Sequence, residues 1–103
     1  MLRFAPSPTG FIHVGNARIA ILNYIFSKKN NLDFFLRIDD TDLDRSKEEF
    51  KKAIYNDLEW IGISYKFKVS QSSRLKLYND IADKLKNKGL IYPCYETPDE
   101  LNL

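Results

Sequence analysis

A chain of 103 residues with 44% hydrophobic and 29% charged side chains has room for one small core and the balance of a folded protein, which excludes a disordered segment. Its net charge of +2 excludes recruitment of nucleic acid by a general basic field, so any RNA contact must be local. No apolar run is long enough for a signal peptide or a membrane span, so a cytoplasmic location without a membrane partner is expected; the lone Cys94 excludes an internal disulfide but decides little about location.

Residues 1–5 read as a short strand, broken by Pro6-Ser7-Pro8-Thr9-Gly10, a turn that neither a helix nor a central strand accommodates. Over residues 14–27 the apolar positions Val14, Ala17, Ile21, Tyr24 and Ile25 recur at helical spacing. Ile19, Ala20, Leu22 and Phe26 fill much of the remaining surface, which predicts a helix buried on most sides. Residues 34–38 are nearly continuously apolar, as in a parallel strand covered on both faces, and stop at Asp39-Asp40-Thr41-Asp42. Ser46 and Glu49 form a capping-box pattern, Phe50, Ile54, Leu58 and Ile61 mark one helical face, and Gly62 supplies the stop.

Residues 63–70 carry no clear pattern. A helix is predicted over residues 73–88, with Tyr78, Ile81, Ala82 and Leu85 on one face and Gly89 ending it, followed by a strand at residues 90–95. In Thr97-Pro98-Asp99-Glu100, a capping Thr, a Pro at the first helical position and a Glu at the third predict a further helix, within which the chain is expected to be truncated. Strands alternating with helices in this order predict an α/β fold with a parallel sheet flanked by helices.

In such a fold ligands gather outside the carboxyl ends of the strands, where both the Pro/Gly turn and the acid cluster fall. Gly10 and Gly15 allow close backbone approach, a helix N-terminus presents unpaired N–H groups, and His13 can donate to a phosphate oxygen. On spacing alone, a His beside a helix start is more often a structural hydrogen-bonding residue. Asp39, Asp40 and Asp42 can equally be read as solvated acids capping the next helix, Asp40 most readily. Cys94 reads as a small buried residue beside Tyr92 and Tyr95.

The lead Arg3-Phe4-Ala5-Pro6-Ser7-Pro8-Thr9-Gly10, followed by His13-Val14-Gly15-Asn16, resembles the signature of glutamyl-tRNA synthetases, in which a His-Ile-Gly-His-type motif follows such a lead. The resemblance continues through Leu36-Arg37-Ile38-Asp39-Asp40-Thr41-Asp42, Arg45-Ser46-Lys47-Glu48-Glu49-Phe50, Asp57-Leu58-Glu59-Trp60-Ile61-Gly62, Gln71-Ser72-Ser73-Arg74 and Tyr92-Pro93-Cys94-Tyr95, covering nearly the whole chain. Two positions depart from the pattern: Asn16 stands where the motif usually ends in His, and Asp39 where the glutamyl pattern usually has Glu.

The resemblance implies that residues 1–103 are the N-terminal part of a class I catalytic domain, the first half of a Rossmann-like nucleotide-binding fold. It implies ATP-dependent ligation of L-glutamate to tRNA(Glu) through a glutamyl-adenylate, by a parent enzyme expected to be a monomer, with the fragment alone expected to be inactive. ATP would be bound by Thr9, Gly10, His13, Gly15 and Asn16, with His13 as the catalytic group that stabilises charge on the phosphate. Glutamate would be bound by Arg3, Ala5, Ser7 and Asp39, and the tRNA 3′-end by Thr41 and Asp42. Arg3 offers a fork that fits a carboxylate, and Ser7 adds a hydrogen bond. Magnesium is expected to travel with ATP, without protein ligands, and no zinc is expected: the sequence reads Cys94-Tyr95-Glu96 where some relatives carry Cys-x-Cys.

Two rival readings remain open at this stage: a non-catalytic module that binds ATP or a tRNA acceptor stem, and the truncated paralogue that glutamylates a modified base of tRNA(Asp). The Ser46-Lys47-Glu48-Glu49 run fits the full-length enzyme better than the paralogue. Against the glutaminyl enzyme stand the residue 3–9 lead and Asp42, where that enzyme's pattern has Asn.

Overall fold

The computed structural model describes residues 1–101. In chain order it contains β1 (Leu2–Phe4), α1 (Val14–Lys29), β2 (Phe34–Ile38), α2 (Glu48–Ile61), β3 (Lys68–Ser70), a 3-10 turn at Gln71–Arg74, α3 (Leu75–Asn87) and α4 (Pro98–Leu101). Residues Met1–Ser73 form one compact unit, and a second begins at Arg74.

In the first unit β2 is the central strand, pairing in parallel with β1 (Phe4 beside Leu36) and with β3 (Leu36 beside Lys68). Parallel strands need crossover connections, which α1 and α2 supply; two right-handed crossovers stepping the same way across a sheet put both helices on one face. Burial along β2 follows from this. Phe34, Leu36 and Ile38 are buried, whereas Phe35 and Arg37, facing the other way, are half-buried. The strand expected to be covered on both faces therefore has its core on one. Phe4, Ala20, Ile54, Leu58 and Ile63 complete that core, with Ile21 and Tyr24 of α1 packed against it.

One-sided packing also corrects the reading of α1. Of its residues only Ala20 and Ser27 are buried, while Val14, Ile19, Leu22, Ile25 and Phe26 are exposed, so the helix is not buried on most sides in this chain.

All three long helices stop by one device, a left-handed residue that turns two successive amides back onto the last carbonyls. At α1, Asn31 (φ 52°) and Leu32 bond back to Lys28 and Ser27; at α2, Gly62 (φ 81°) and Ile63 bond to Glu59 and Leu58. At α3, Gly89 (φ 69°) and Leu90 bond to Lys86 and Leu85. The two glycines are the stops the sequence predicts.

Residues 63–70, which carry no pattern, supply β3: Lys66 and Phe67 already exchange backbone bonds with Phe34 and Leu36, and the Phe35 and Phe67 rings stack at 4.9 Å on the open face. Residues 90–95, expected as a strand, are not one. A strand exists only through a partner's backbone, and Pro93 has no N–H to offer one. Leu90, Tyr92 and Tyr95 are accordingly exposed, as is Cys94, whose thiol donates to Glu96 Oε2 at 3.0 Å instead of being buried. At α4 the expected capping box is present: the Thr97 amide and hydroxyl donate to Glu100 Oε2 at 2.7 and 2.8 Å.

Candidate functional site

The carboxyl end of β1 runs straight into residues 5–13, which have little regular structure of their own. Pro6 and Pro8 lack N–H groups, so the backbone can be held here mainly through carbonyls. Both are used: Pro6 O accepts from Asp39 N at 2.9 Å and Pro8 O from Lys47 N at 3.0 Å, and Pro8 itself is fully buried. Phe11 adds an edge-on contact with Phe50 of α2, at 5.0 Å between ring centroids. The result is a cleft of about 640 Å³ at the β1 end of the sheet. Ala5, Ser7, Thr9, Gly10, His13 and Asn16 line it, over an apolar floor that includes Phe4, Ile12 and Ile54. Six of the residues named from the sequence thus share one cleft, whereas Gly15, Arg3, Asp39, Thr41 and Asp42 are not among its lining.

His13 is the N-cap of α1, and its Nδ1 accepts from the Gly15 amide at 3.1 Å. A neutral ring that accepts at Nδ1 carries its proton at Nε2, so capping fixes the tautomer and leaves a donor for a ligand in the cleft. Gly15 is required by the same contact. A Cβ there would lie 2.9 Å from His13 Cε1, so the close approach this glycine permits is that of the histidine ring. At Gly10 an added Cβ would meet nothing within 4 Å, so that backbone faces open space.

The acids after β2 have three different environments. Asp39 accepts a two-pronged bond from Arg37, at 2.7 Å from Nε and 2.9 Å from Nη2. Two of its roughly four lone-pair sites are thereby occupied, leaving about two for any further cation. Asp42 folds back on its own loop, accepting from the Arg45 amide at 3.1 Å and from Arg45 Nε at 2.6 Å, and the Arg45 side-chain bond holds its carboxyl below the ordinary value. Asp40, the acid most readily read as solvated, is only 11% exposed in its side chain. Its two oxygens take the Ser72 amide at 2.8 Å and the Ser72 hydroxyl at 2.7 Å, with Lys51 Nζ at 3.7 Å. That environment corrects the reading of Asp40 as a solvated acid.

The capping box expected at Ser46 and Glu49 is also absent. α2 begins at Glu48, with Lys47 as N-cap and no side-chain cap bond, and Ser46 Oγ is buried without a hydrogen-bond partner among the described residues. The Ser46 amide, which the Glu49 side chain would take in a capping box, instead donates to Asp42 O at 2.9 Å.

Burial raises the Asp40 carboxyl, but the bonds from the Ser72 amide and hydroxyl and the charge of Lys51 outweigh it and hold the group below its ordinary value. A folded value below the unfolded one contributes stability that is present above the unfolded value and lost as pH falls through the folded one. Asp40→Asn should therefore lower stability at neutral pH and flatten the acid limb below the ordinary carboxylate value of about 3.9. Urea melts from about pH 7 down to about pH 2 check this; an equally steep acid limb in the variant would contradict it.

Among the described residues no three His, Cys, Asp or Glu side chains gather as a metal site requires, and no helix is long and apolar enough to cross a membrane.

A Pro/Gly segment leading from a parallel strand into a His-capped helix, with acids at the end of the next strand, is an arrangement of the α/β class, in which ligands gather at the strand ends. Residues 1–103 match the family described as tRNA synthetases class I (E and Q), catalytic domain, and the chain belongs to that family. It is 54% identical over 101 residues to glutamate–tRNA ligase 2 of Gluconobacter oxydans, covering 98% of this chain and 23% of that protein. With glutamate–tRNA ligase 1 of Rickettsia akari the figures are the same, 54% over 101 residues, 98% and 23%. The crystal structure of a glutamate tRNA ligase from Elizabethkingia meningosepticum in complex with its amino acid superposes with a TM-score of 0.86 at 36% identity, over 98% of this chain and 22% of that one. The chain thus spans under a quarter of the length of these relatives.

Proposed function

We propose that this chain supplies the first half of the ATP and glutamate site of a cytoplasmic, monomeric glutamate–tRNA ligase, which charges tRNA(Glu) through a glutamyl-adenylate. The observation that carries this reading is the shared cleft, where Thr9, Gly10, His13 and Asn16 line the same space as Ala5 and Ser7. ATP would lie with its phosphates toward the α1 N-terminus, where first-turn amides lack helical partners and favour negative charge. His13, fixed with its proton on Nε2, donates to the phosphate oxygens as charge grows on them, and Gly15 permits the ring position.

Glutamate would enter beside the carboxyl ends of β1 and β2. Arg3 lies in register with Phe35 on the open sheet face, the face that also carries Arg37. In this reading Arg3 takes a substrate carboxylate, Ser7 adds a hydrogen bond, and Asp39 meets the ammonium with the lone pairs Arg37 leaves free. Thr41 and Asp42, on the same loop, would face the tRNA 3′-end. Magnesium arrives with ATP, and zinc takes no part.

The reaction needs placement and charge stabilisation rather than a protein nucleophile. Glutamate's carboxylate attacks the α-phosphate and pyrophosphate leaves; a hydroxyl of the tRNA's terminal ribose then attacks the activated carbonyl, forming the ester and releasing AMP. The isolated 103 residues, with under a quarter of the relatives' length, would not complete this sequence.

Arg3→Ala in the whole protein separates the two substrates. Loss of a charge-assisted bond should weaken glutamate binding by about 1.5–3 kcal/mol with ATP affinity nearly intact. Substrate titrations of ATP–pyrophosphate exchange with tRNA(Glu) present read both, and equal losses for the two substrates would refute the assignment.

A further inference from the structure

We infer that Asp40 is a positioning residue for the cleft loop, acting through the β2–α2 connection rather than by touching a substrate. The inference rests on the reading of residues 5–16 as the ATP and glutamate site. Residues 39–47 grip that loop at both ends, Asp39 N on Pro6 O at 2.9 Å and Lys47 N on Pro8 O at 3.0 Å. With no N–H on either proline, the segment has fewer backbone donors with which to hold itself, so these two carbonyl bonds carry more of its anchoring. The gripping connection itself needs an anchor. Its inner part is tied by Asp42, which accepts from Arg45 and whose carbonyl accepts from Ser46 N at 2.9 Å.

Asp40 supplies the tie to the rest of the fold. One oxygen takes Ser72 N and the other Ser72 Oγ, which fastens the end of β2 to the turn after β3, and Lys51 at 3.7 Å fastens it to the second turn of α2. The carboxylate is thus a three-way junction adjacent to the Asp39 amide that holds Pro6. A carboxylate with both oxygens engaged by donors and little water around it is held more firmly than an exposed one, because each bond is stronger in low dielectric. Removal of Asp40 should leave the core intact but let residues 39–47, and with them Pro6 and Pro8, shift. A misplacement of about 1 Å in a positioned site can cost on the order of 100-fold in rate.

The test uses the whole protein with Asp40→Ala, Asp40→Asn, Ser72→Ala and the double variant of Asp40→Ala with Ser72→Ala, beside Leu58→Val as a core substitution of matched melting temperature. Hydrogen exchange is read at the Asp39 and Lys47 amides, and glutamate-dependent ATP–pyrophosphate exchange in the presence of tRNA(Glu) gives kcat and KM. Asp40→Ala should speed exchange at both amides and lower kcat by roughly ten-fold or more, with a smaller change in KM for ATP. Asp40→Asn, which can still accept from Ser72 N, should recover part of both losses. The double variant should be no worse than Asp40→Ala, because both changes cut one link. Unmoved amides, multiplying losses, or an equal loss of kcat in Leu58→Val would overturn the inference. Wild-type protein that shows no glutamate-dependent exchange would overturn the functional reading itself, and this inference with it.

Discussion

His13→Asn should keep the fold and lose the chemistry. Asn is among the best N-cap residues, so it can take over the bond to the Gly15 amide, and the melting temperature should hardly move. Its side chain is too short to place a donor where the imidazole Nε2 stands, so charge on the reacting phosphate loses a partner. Removing one such donor from a preorganised site costs about 100- to 1,000-fold in kcat. Because the charge develops in the transition state, glutamate binding should change little. His13→Ala should show the same rate loss together with a capping penalty of about 1 kcal/mol in stability. Single-turnover adenylation kinetics and melting curves on the two variants measure these effects. An undiminished rate in His13→Asn would make the histidine a cap and nothing more.

Leu36→Ala should have the largest effect on stability. Leu36 is fully buried at the middle of the central strand, paired in register with Phe4 on one side and Lys68 on the other. Its side chain faces the helices, so truncation removes buried methyl groups and leaves a cavity between sheet and helices that neighbours cannot close. The expected loss is about 2–5 kcal/mol, a large fraction of the total for a marginally stable domain. Leu43→Ala, at a residue 77% exposed in the connection after β2, should stay within about 0.5 kcal/mol. Urea unfolding of both variants decides the matter; comparable losses at the two positions would contradict the assignment of the core to one sheet face.

Features governed by neighbouring residues were readable from the chain itself. The run at residues 34–38 declared β2 because a buried parallel strand has few other spellings, and Gly62 and Gly89 declared helix ends because each stands where a left-handed residue is needed. Thr97 and Glu100 sit three residues apart and form the box their spacing implies. Features that depend on distant partners were not readable. Ser46 and Glu49 spell the same box, yet the Ser46 amide goes to Asp42 O and the helix starts without it. Asp40 looked solvated because the residue that buries it, Ser72, lies 32 positions away. β3 begins at Lys68, two residues after Lys66, and shows no apolar alternation; the backbone of β2 makes it a strand. Residues 90–95 have strand-like composition and no strand beside them.

The cleft lining was more legible than the packing around it. Thr9, Gly10, His13 and Asn16 do meet Ala5 and Ser7 in one cleft, since all lie within a short run of sequence that bends once between a strand and a helix. Contiguity is what made the motif readable. Arg3 leaves β1 on the open sheet face and Asp39 follows the end of β2, and their convergence on one substrate is proposed from charge.

Amino-acid-dependent ATP–pyrophosphate exchange tests the central claim most directly, run with tRNA(Glu) present on the whole protein and on the 103-residue chain with glutamate, glutamine and no amino acid. Exchange by the whole protein that requires glutamate, is not supported by glutamine, collapses in His13→Asn and is absent from the 103 residues alone is the expected result. Exchange driven equally well by glutamine, or by no amino acid at all, would contradict a glutamate-activating site in this cleft.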